Sequence, residues 1–266
     1  MRKRLKDKVA IVTAAGSVGP GWGNGKATAV LVAREGARVA AVDINVEAAC
    51  ETAEVIESEG GTGMPIQTDV SDTAEVAEMV RECLAAFGQI DVLHNNVGIA
   101  ELGGAVELEE ELWDRFEAVN LKSMFLTCKH VLPHFIAQES GAIVNVASIA
   151  GIRWMDVPYI AYSATKAGVL GLSRTIALQH AAQGIRCNTI LPGLIDTPMV
   201  EHTLKDAYAD GDIEKIKSIR HAQCPMGHMG NAWDVAYAAL YLASDDARYV
   251  TAAELAVDGG VVASCA

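Results

Sequence analysis

A chain of 266 residues, 51% of them hydrophobic and with a mean hydropathy of +0.21, is long enough to bury a large core. The formal net charge of −13 argues against a nucleic-acid partner, which would call for a basic face. No stretch is long and apolar enough to span a bilayer, and the one basic cluster, Arg2-Lys3-Arg4, reads as a solvated terminus.

The apolar run 9–15 continues into a glycine loop rather than a cleavage site, so it reads as a first strand and not as a signal peptide. Six cysteines (Cys50, Cys83, Cys128, Cys187, Cys224, Cys265) show no paired spacing, which without a signal implies reduced thiols and a cytoplasmic chain. A helix over 25–36 follows the first strand, then a strand over 37–43 and an amphipathic helix over 46–59 stopped by Gly60-Gly61. A strand over 64–70, a helix over 73–87 and a strand over 90–94 come next. A long helix over 108–137 contains Pro133, which should bend or end it. A buried strand over 142–147, a helix running to His180, a strand over 185–191, a glycine- and methionine-containing region to 230, a helix over 232–243 and a strand over 252–257 complete the chain. Strands alternating with helices predict right-handed crossovers and one doubly wound parallel α/β sheet, a Rossmann fold with helices on both faces. No linker or repeat divides 1–266, so a single domain is expected.

Tyr162 and Lys166 stand four residues apart in a helical segment, on one face, so the ammonium can favour the phenolate of a residue whose pKa is otherwise about 10. Ser148 ends the buried strand, at the carboxyl edge where open α/β sheets bind ligands. The stretch Thr13-Ala14-Ala15-Gly16-Ser17-Val18-Gly19-Pro20-Gly21-Trp22-Gly23-Asn24-Gly25 joins the first strand to the first helix, where glycines let the backbone turn and approach a pyrophosphate on the helix N-terminus. Asp43 ends the second strand. Its carboxylate suits ribose hydroxyls and repels a 2′-phosphate, and Ile44-Asn45 follow it with no arginine, so NAD is favoured over NADP.

In this combination the chain resembles the short-chain dehydrogenase/reductase family over nearly its whole length. The resemblance implies a catalytic set of Asn120, Ser148, Tyr162 and Lys166. Tyr162 would be the acid/base, and Lys166 would lower its pKa and bind the nicotinamide ribose. Ser148 would hold the substrate oxygen, and Asn120 a water of a proton relay. Gly16, Gly23, Asn24 and Gly25 would cradle the pyrophosphate, with Gly19 and Gly21 as alternatives. The loop departs from the family pattern: Ala14 replaces a glycine and five residues are added, as in the enoyl reductase branch. Asp69 and Val70 resemble the adenine contact. Asn95-Asn96-Val97-Gly98 resembles an Asn-Asn-Ala-Gly motif that steadies the sheet and borders the ribose, with His94 replacing the apolar residue before it. Pro192-Gly193-Leu194-Ile195-Asp196-Thr197 would hold the carboxamide through Ile195 and Thr197.

By family position Arg153, Trp154, Met155, Tyr159, Leu194 and Met199 line the substrate pocket with Ser148, beneath a lid-like segment over 198–230. Trp154 and Met155 suit an apolar or ring-shaped substrate. Arg153 would either bind a carboxylate, sulfonate or hydroxyl-rich group or pair with Asp156. The expected activity is interconversion of a secondary alcohol (cyclic, sugar or hydroxyacyl) and a ketone or lactone. An enoyl-type reductase and a non-catalytic dinucleotide sensor are the alternatives. His221-x-x-Cys224-x-x-x-His228 has a spacing a metal could use, but a structural zinc normally takes four ligands, and no metal is expected. His202, His221 and His228 read as exposed loop residues, with contact to the substrate from the lid as the alternative for one of them. The small-residue face Ala161, Ala164, Ala167 and Gly168 resembles surfaces through which the family forms homotetramers.

Overall fold

Strands buried on both faces read as continuous apolar runs, because each side of the sheet must be covered by helices. In the computed structural model, which describes residues 3–200 and 212–264, β1 (Val9–Thr13) is buried throughout. So is β5 (Gly141–Val146). With β2 (Arg38–Asp43), β3 (Thr62–Gln67), β4 (Val92–Asn95), β6 (Ile185–Pro192) and β9 (Glu254–Val257) they form a seven-stranded sheet in the order β3-β2-β1-β4-β5-β6-β9. Every pairing in it is parallel. Strand order reverses between β1 and β4, which opens a crevice at their carboxyl ends. The short pair β7 (Ile195–Asp196) and β8 (Gly230–Asn231) lies apart from this sheet.

Alternation along the strands divides the core into two layers. Ala10, Val12, Val39, Ala41 and Val144 pack with α1 (Asn24–Arg34) and α8 (Ala232–Ala243). Val9, Ile11, Ala40, Val42, Leu93 and Ile143 pack on the other face with α3 (Thr73–Phe87), α5 (Ser123–Ala137) and α6 (Ile160–His180). α2 (Val46–Ser58) begins at Asn45, whose side chain accepts from the Ala48 amide.

The doubly wound sheet agrees with expectation, while several elements shift. The third strand ends at Gln67 rather than at 70, and the fourth starts at Val92. The long helix is divided into α4 (Glu110–Phe116), a π-helical stretch (Glu117–Lys122) and α5. Pro133 lies inside α5 without ending it, since Val131 and Phe135 bury their side chains completely on either side of it. The region before 230 holds a helix that the pattern did not predict, α7 (Ile213–Gln223), capped by Asp212 accepting from the Lys215 amide.

Buried polar groups are paired across the sheet. The Asn95 amide donates to Asn145 Oδ1 (2.8 Å), Thr127 Oγ1 donates to Asn95 Oδ1 (2.8 Å), and Asn145 donates to Ser173 Oγ (2.8 Å), tying β4 and β5 to α5 and α6. His94 is different. It pairs in register with Val12 and Val144, is 2% exposed, and neither ring nitrogen has a hydrogen-bond partner. Burial pushes its pKa down to about 4.

A lowered His pKa means that the unfolded chain binds more protons, so stability falls as pH drops from the unfolded value near 6.5 toward 4. The loss approaches roughly 3 kcal/mol at the bottom of that window. Urea unfolding of the wild type and His94→Leu at pH 7 and pH 4.5 checks this: the acid loss should be smaller in the variant by about 2–3 kcal/mol. Equal acid losses would contradict it.

Candidate active site

The crevice at the carboxyl edge is a cleft of about 430 Å³. Its first wall is the loop after β1. Ala14 has φ +48, a left-handed conformation that costs a Cβ-bearing residue about 1 kcal/mol and explains why a glycine suits the position. Gly16 donates to Asp43 Oδ2 (3.0 Å), and a Cβ there would lie 2.5 Å from that of Ala48. Gly25 admits no side chain, since a Cβ would fall 1.8 Å from the Ala14 carbonyl oxygen. Gly23 caps α1 and Asn24 opens it, so unpaired amides at the helix N-terminus face the cleft. Beside them Ser17 Oγ and Asn24 Oδ1 are buried without a hydrogen-bond partner. A glycine cradle, orphaned polar atoms and a helix N-terminus fit a pyrophosphate.

The added residues of the loop are anchored on α8. Trp22 packs against Trp233 with ring centres 4.7 Å apart, and Lys26 lies 5.4 Å over the Trp22 ring while pairing with Glu51 at 2.6 Å. Gly19 and Gly21 instead sit against Pro198 across the cleft mouth.

Asp43 stands on the cleft wall at the end of β2, where its Oδ1 also accepts from the Asn45 amide (3.0 Å). Asn96, at the end of β4, donates its backbone amide to Thr13 Oγ1 (3.1 Å) and its side-chain amide to the Ala14 carbonyl (3.4 Å), holding the glycine loop to the central strands. Pro192, which ends β6, and Gly193, Leu194, Ile195 and Thr197 after it also line the cleft. Asp69, Val70 and Asn95 do not line the cleft. β3 ends two residues before Asp69, whose carboxylate accepts from Ser71, Val70 turns into the core, and Asn95 belongs to the buried network described above.

The centre of the cleft gathers residues from three elements. Ser148 follows β5 in extended conformation, and its Oγ accepts from the Ala150 amide (3.1 Å). The Ser148 hydroxyl stands within hydrogen-bonding reach of the Tyr162 phenol. Lys166, one turn along α6, is 3% exposed, donates to the Val146 carbonyl (3.0 Å) and lies 5.8 Å from the centre of the Tyr162 ring. Gly98 makes room for this ammonium: a Cβ there would be 3.0 Å from Lys166 Nζ. Asn120 sits in the π-helical stretch, a feature often found at functional sites. It is fully buried, accepts from the Ile99 amide (2.8 Å), and donates to the Ile99 carbonyl (3.0 Å) and to Thr165 Oγ1 (3.3 Å).

Burial lowers the Lys166 pKa to about 8. For Tyr162 the balance differs from the expected Lys166-driven lowering. Burial raises its pKa, and hydrogen bonding with Ser148 and the charge of Arg220 oppose that rise.

The substrate side is lined by Met155, Val157, Tyr159, Met199 and Val200, with Arg220 and Gln223 from α7. Tyr159 packs on Tyr162 with ring centres 5.6 Å apart. Two residues expected here stand elsewhere. The Arg153 guanidinium reaches the Val261 and Ser264 carbonyls rather than the cleft or Asp156. Trp154 is 66% exposed and donates to Asp156 Oδ1 (2.8 Å). Arg220 was not foreseen, because it belongs to no motif and its helix was not predicted. Among the described residues no group of three His, Cys, Asp or Glu side chains could hold a metal. His221 Nδ1 accepts from the Met229 amide, His228 Nδ1 meets the Met229 carbonyl, and His202 lies outside the described residues.

Comparison with known proteins identifies the family of the whole chain. A family profile described as Enoyl-(Acyl carrier protein) reductase matches residues 20–262. The chain is 38% identical to the 3-oxoacyl-acyl-carrier-protein reductase of Thermotoga maritima, covering 97% of this chain and 99% of that one. It is 39% identical to the cis-4-hydroxycyclohexanecarboxylate dehydrogenase of Sinomonas cyclohexanicum, covering 99% and 100%. A crystal structure of a chain described as a short-chain dehydrogenase/reductase from Burkholderia xenovorans superposes with a TM-score of 0.94 at 45% identity, covering 99% and 100%. A seven-stranded parallel sheet, a glycine cradle at its switch point and these relatives agree: the chain belongs to the short-chain dehydrogenase/reductase family and is an oxidoreductase.

Proposed function

We propose that this enzyme interconverts a secondary alcohol and a ketone with NAD, using Tyr162, Lys166 and Ser148 as its catalytic residues. The observation that carries the reading is the convergence of the Tyr162 phenol, the Ser148 hydroxyl and the buried Lys166 ammonium beside a pyrophosphate-sized glycine cradle. When bound, the nicotinamide supplies or accepts the hydride. Ser148 orients the substrate oxygen. Tyr162 gives it a proton in reduction and takes one in oxidation. Lys166 keeps a positive charge beneath the reacting groups. Asn120 is a positioning residue, because its amide is committed to Ile99 and Thr165 and holds the 98–99 segment against Lys166. Asp43, at the mouth of the adenosine side, supports NAD over NADP.

The names of the relatives support substrates of the ring-alcohol or hydroxyacyl kind. The profile description and the lengthened loop favour one second reading, reduction of a conjugated double bond. Tyr162 and Lys166 are adjacent on one turn, whereas enoyl reductases space this pair more widely, and this supports the first reading. We further propose one catalytic domain over 1–266 in the cytoplasm, with a lid-like segment over 198–230, of which 201–211 lie outside the described residues. No helix among the described residues is long and apolar enough to cross a membrane. We also propose a homotetramer built on α6, where Ala164 and Ala167 are exposed. Light scattering that returned only a monomer would refute the tetramer.

Absorbance of the reduced nicotinamide, followed against cyclic alcohols, sugars and hydroxyacyl thioesters, tests the activity. Tyr162→Phe should lose at least about 100-fold in kcat, the usual worth of a positioned acid–base group. Undiminished turnover in that variant, or turnover confined to conjugated double bonds, would overturn the reading. Asp43→Ala should narrow the preference for NAD, and a wild type that prefers NADP would contradict the role of Asp43.

The pH profile has a definite sign. With Tyr162 raised by burial and Lys166 near 8, the ligand-free site at neutral pH holds a protonated phenol and a largely charged ammonium. Oxidation requires the phenolate, so its kcat/KM should rise from neutral pH upward, while carbonyl reduction, which requires the phenol, should fall at high pH. Oxidation that declined as pH rose from 6 to 9 would contradict these roles.

A further inference from the structure

The stretch Gly19-Pro20-Gly21-Trp22-Gly23 carries one large side chain among residues that give a loop little to be held by. The anchor of the added residues is therefore Trp22. Its ring packs on Trp233 in the first turn of α8, with ring centres 4.7 Å apart. Lys26 lies 5.4 Å from the centre of the Trp22 ring, and the Arg34 guanidinium 4.9 Å from that of Trp233. Both cations belong to α1, and each is held by an acid: Lys26 by Glu51 (2.6 Å), Arg34 by two hydrogen bonds to Glu59 (2.6 and 2.7 Å). Two rings between two cations thus tie the loop to α1 and α8 together.

From this anchor residues 18–21 reach the segment after β7. Val18 lines the cleft with Gly16 and Ser17 of the cradle, and Pro198 lines it between Thr197 and Met199. Gly19 and Gly21 face Pro198. A Cβ on Gly19 would lie 3.5 Å from Pro198 Cβ, and one on Gly21 3.6 Å from Pro198 Cγ. Gly21 holds φ +111, a conformation that favours glycine, so the backbone itself shapes the bridge there. Among the described residues no hydrogen bond joins 18–21 to 197–200. One end of the bridge is fixed by stacked rings, and the other rests on one proline through weak contacts that can part. On the reading that this cleft holds the dinucleotide, we propose that residues 18–21 are a strap that closes over the cofactor against Pro198. Trp22 is the positioning residue that holds the strap in place, and the cofactor enters and leaves when the strap parts from Pro198.

Stopped-flow measurement of NADH association and displacement, by directly excited NADH fluorescence on the full-length protein, tests this without any substrate. A gate scales association and dissociation together, whereas a lost ligand contact speeds dissociation alone. Trp22→Ala should raise both rate constants about 10-fold, a shift of about 1.4 kcal/mol toward the open loop. The Kd should then change by less than about 3-fold. Pro198→Gly, which leaves the ring stack in place, should also raise both. Gly19→Ala, whose methyl would meet Pro198 at contact distance without a positive φ, should lower both. Unchanged rate constants in Pro198→Gly and Gly19→Ala, or faster dissociation alone in Trp22→Ala, would overturn the strap and leave the dinucleotide reading standing. A wild type that binds neither NADH nor NADPH would overturn both.

Discussion

Burying an ammonium is costly unless it is hydrogen-bonded, and the site depends on how this fold does so for Lys166. The charge lies under the crevice at the end of β5, where the Val146 carbonyl accepts from it at 3.0 Å. That carbonyl lies at the end of β5, and Ser148 follows two residues later, so the same strand end presents both to the cleft. Gly98 leaves the space that the ammonium occupies, and Asn120 holds the neighbouring Ile99 backbone with both ends of its amide. Helix α6 then delivers Tyr162 one turn before Lys166, in contact with Ser148. Sheet edge, π-helical stretch and helix are thus tied to one buried charge.

A second set of polar groups keeps those elements in register. Asn95, Asn145, Thr127 and Ser173 bond in a chain through the middle of the core, so β4, β5, α5 and α6 cannot slide without leaving buried donors unpaired. Asn96 extends the same strand end to the glycine loop through Thr13 and Ala14. The glycine cradle and the Ser148–Tyr162–Lys166 cluster are therefore linked through one set of hydrogen-bonded strand ends, while α7 reaches the cleft from outside that set.

Much of this is legible before the structure is known. Alternating strands and helices determine a doubly wound sheet, and Tyr162, Lys166 and Ser148 meet because helical spacing and a strand end bring them together. What the chain pattern does not reveal has physical causes. Periodicity cannot register a π turn, so the long helix is read as continuous and the local geometry around Asn120 goes unseen. A polar residue inside an apolar strand gives no hint of whether it finds partners: Asn95 finds three hydrogen-bonding groups and His94 finds none for its ring. Nearness in sequence misleads at the substrate end, where Arg153 and Trp154 follow Ser148 closely yet turn to other partners, while Arg220 arrives from 72 residues further along.

The central claim is that Tyr162 is a buried phenol whose ionisation Ser148 and the charge of Arg220 already favour against burial, and that a bound cofactor's positive ring would favour it further. Ultraviolet difference titration of tyrosinate, wild type minus Tyr162→Phe, with and without NAD, measures this directly. Without NAD the Tyr162 signal should appear only above the ordinary tyrosine value of 10.0, since burial raises it. With NAD its onset should move down by about 1–3 units, the effect of an opposite charge at close range. An onset that NAD leaves in place would contradict the account.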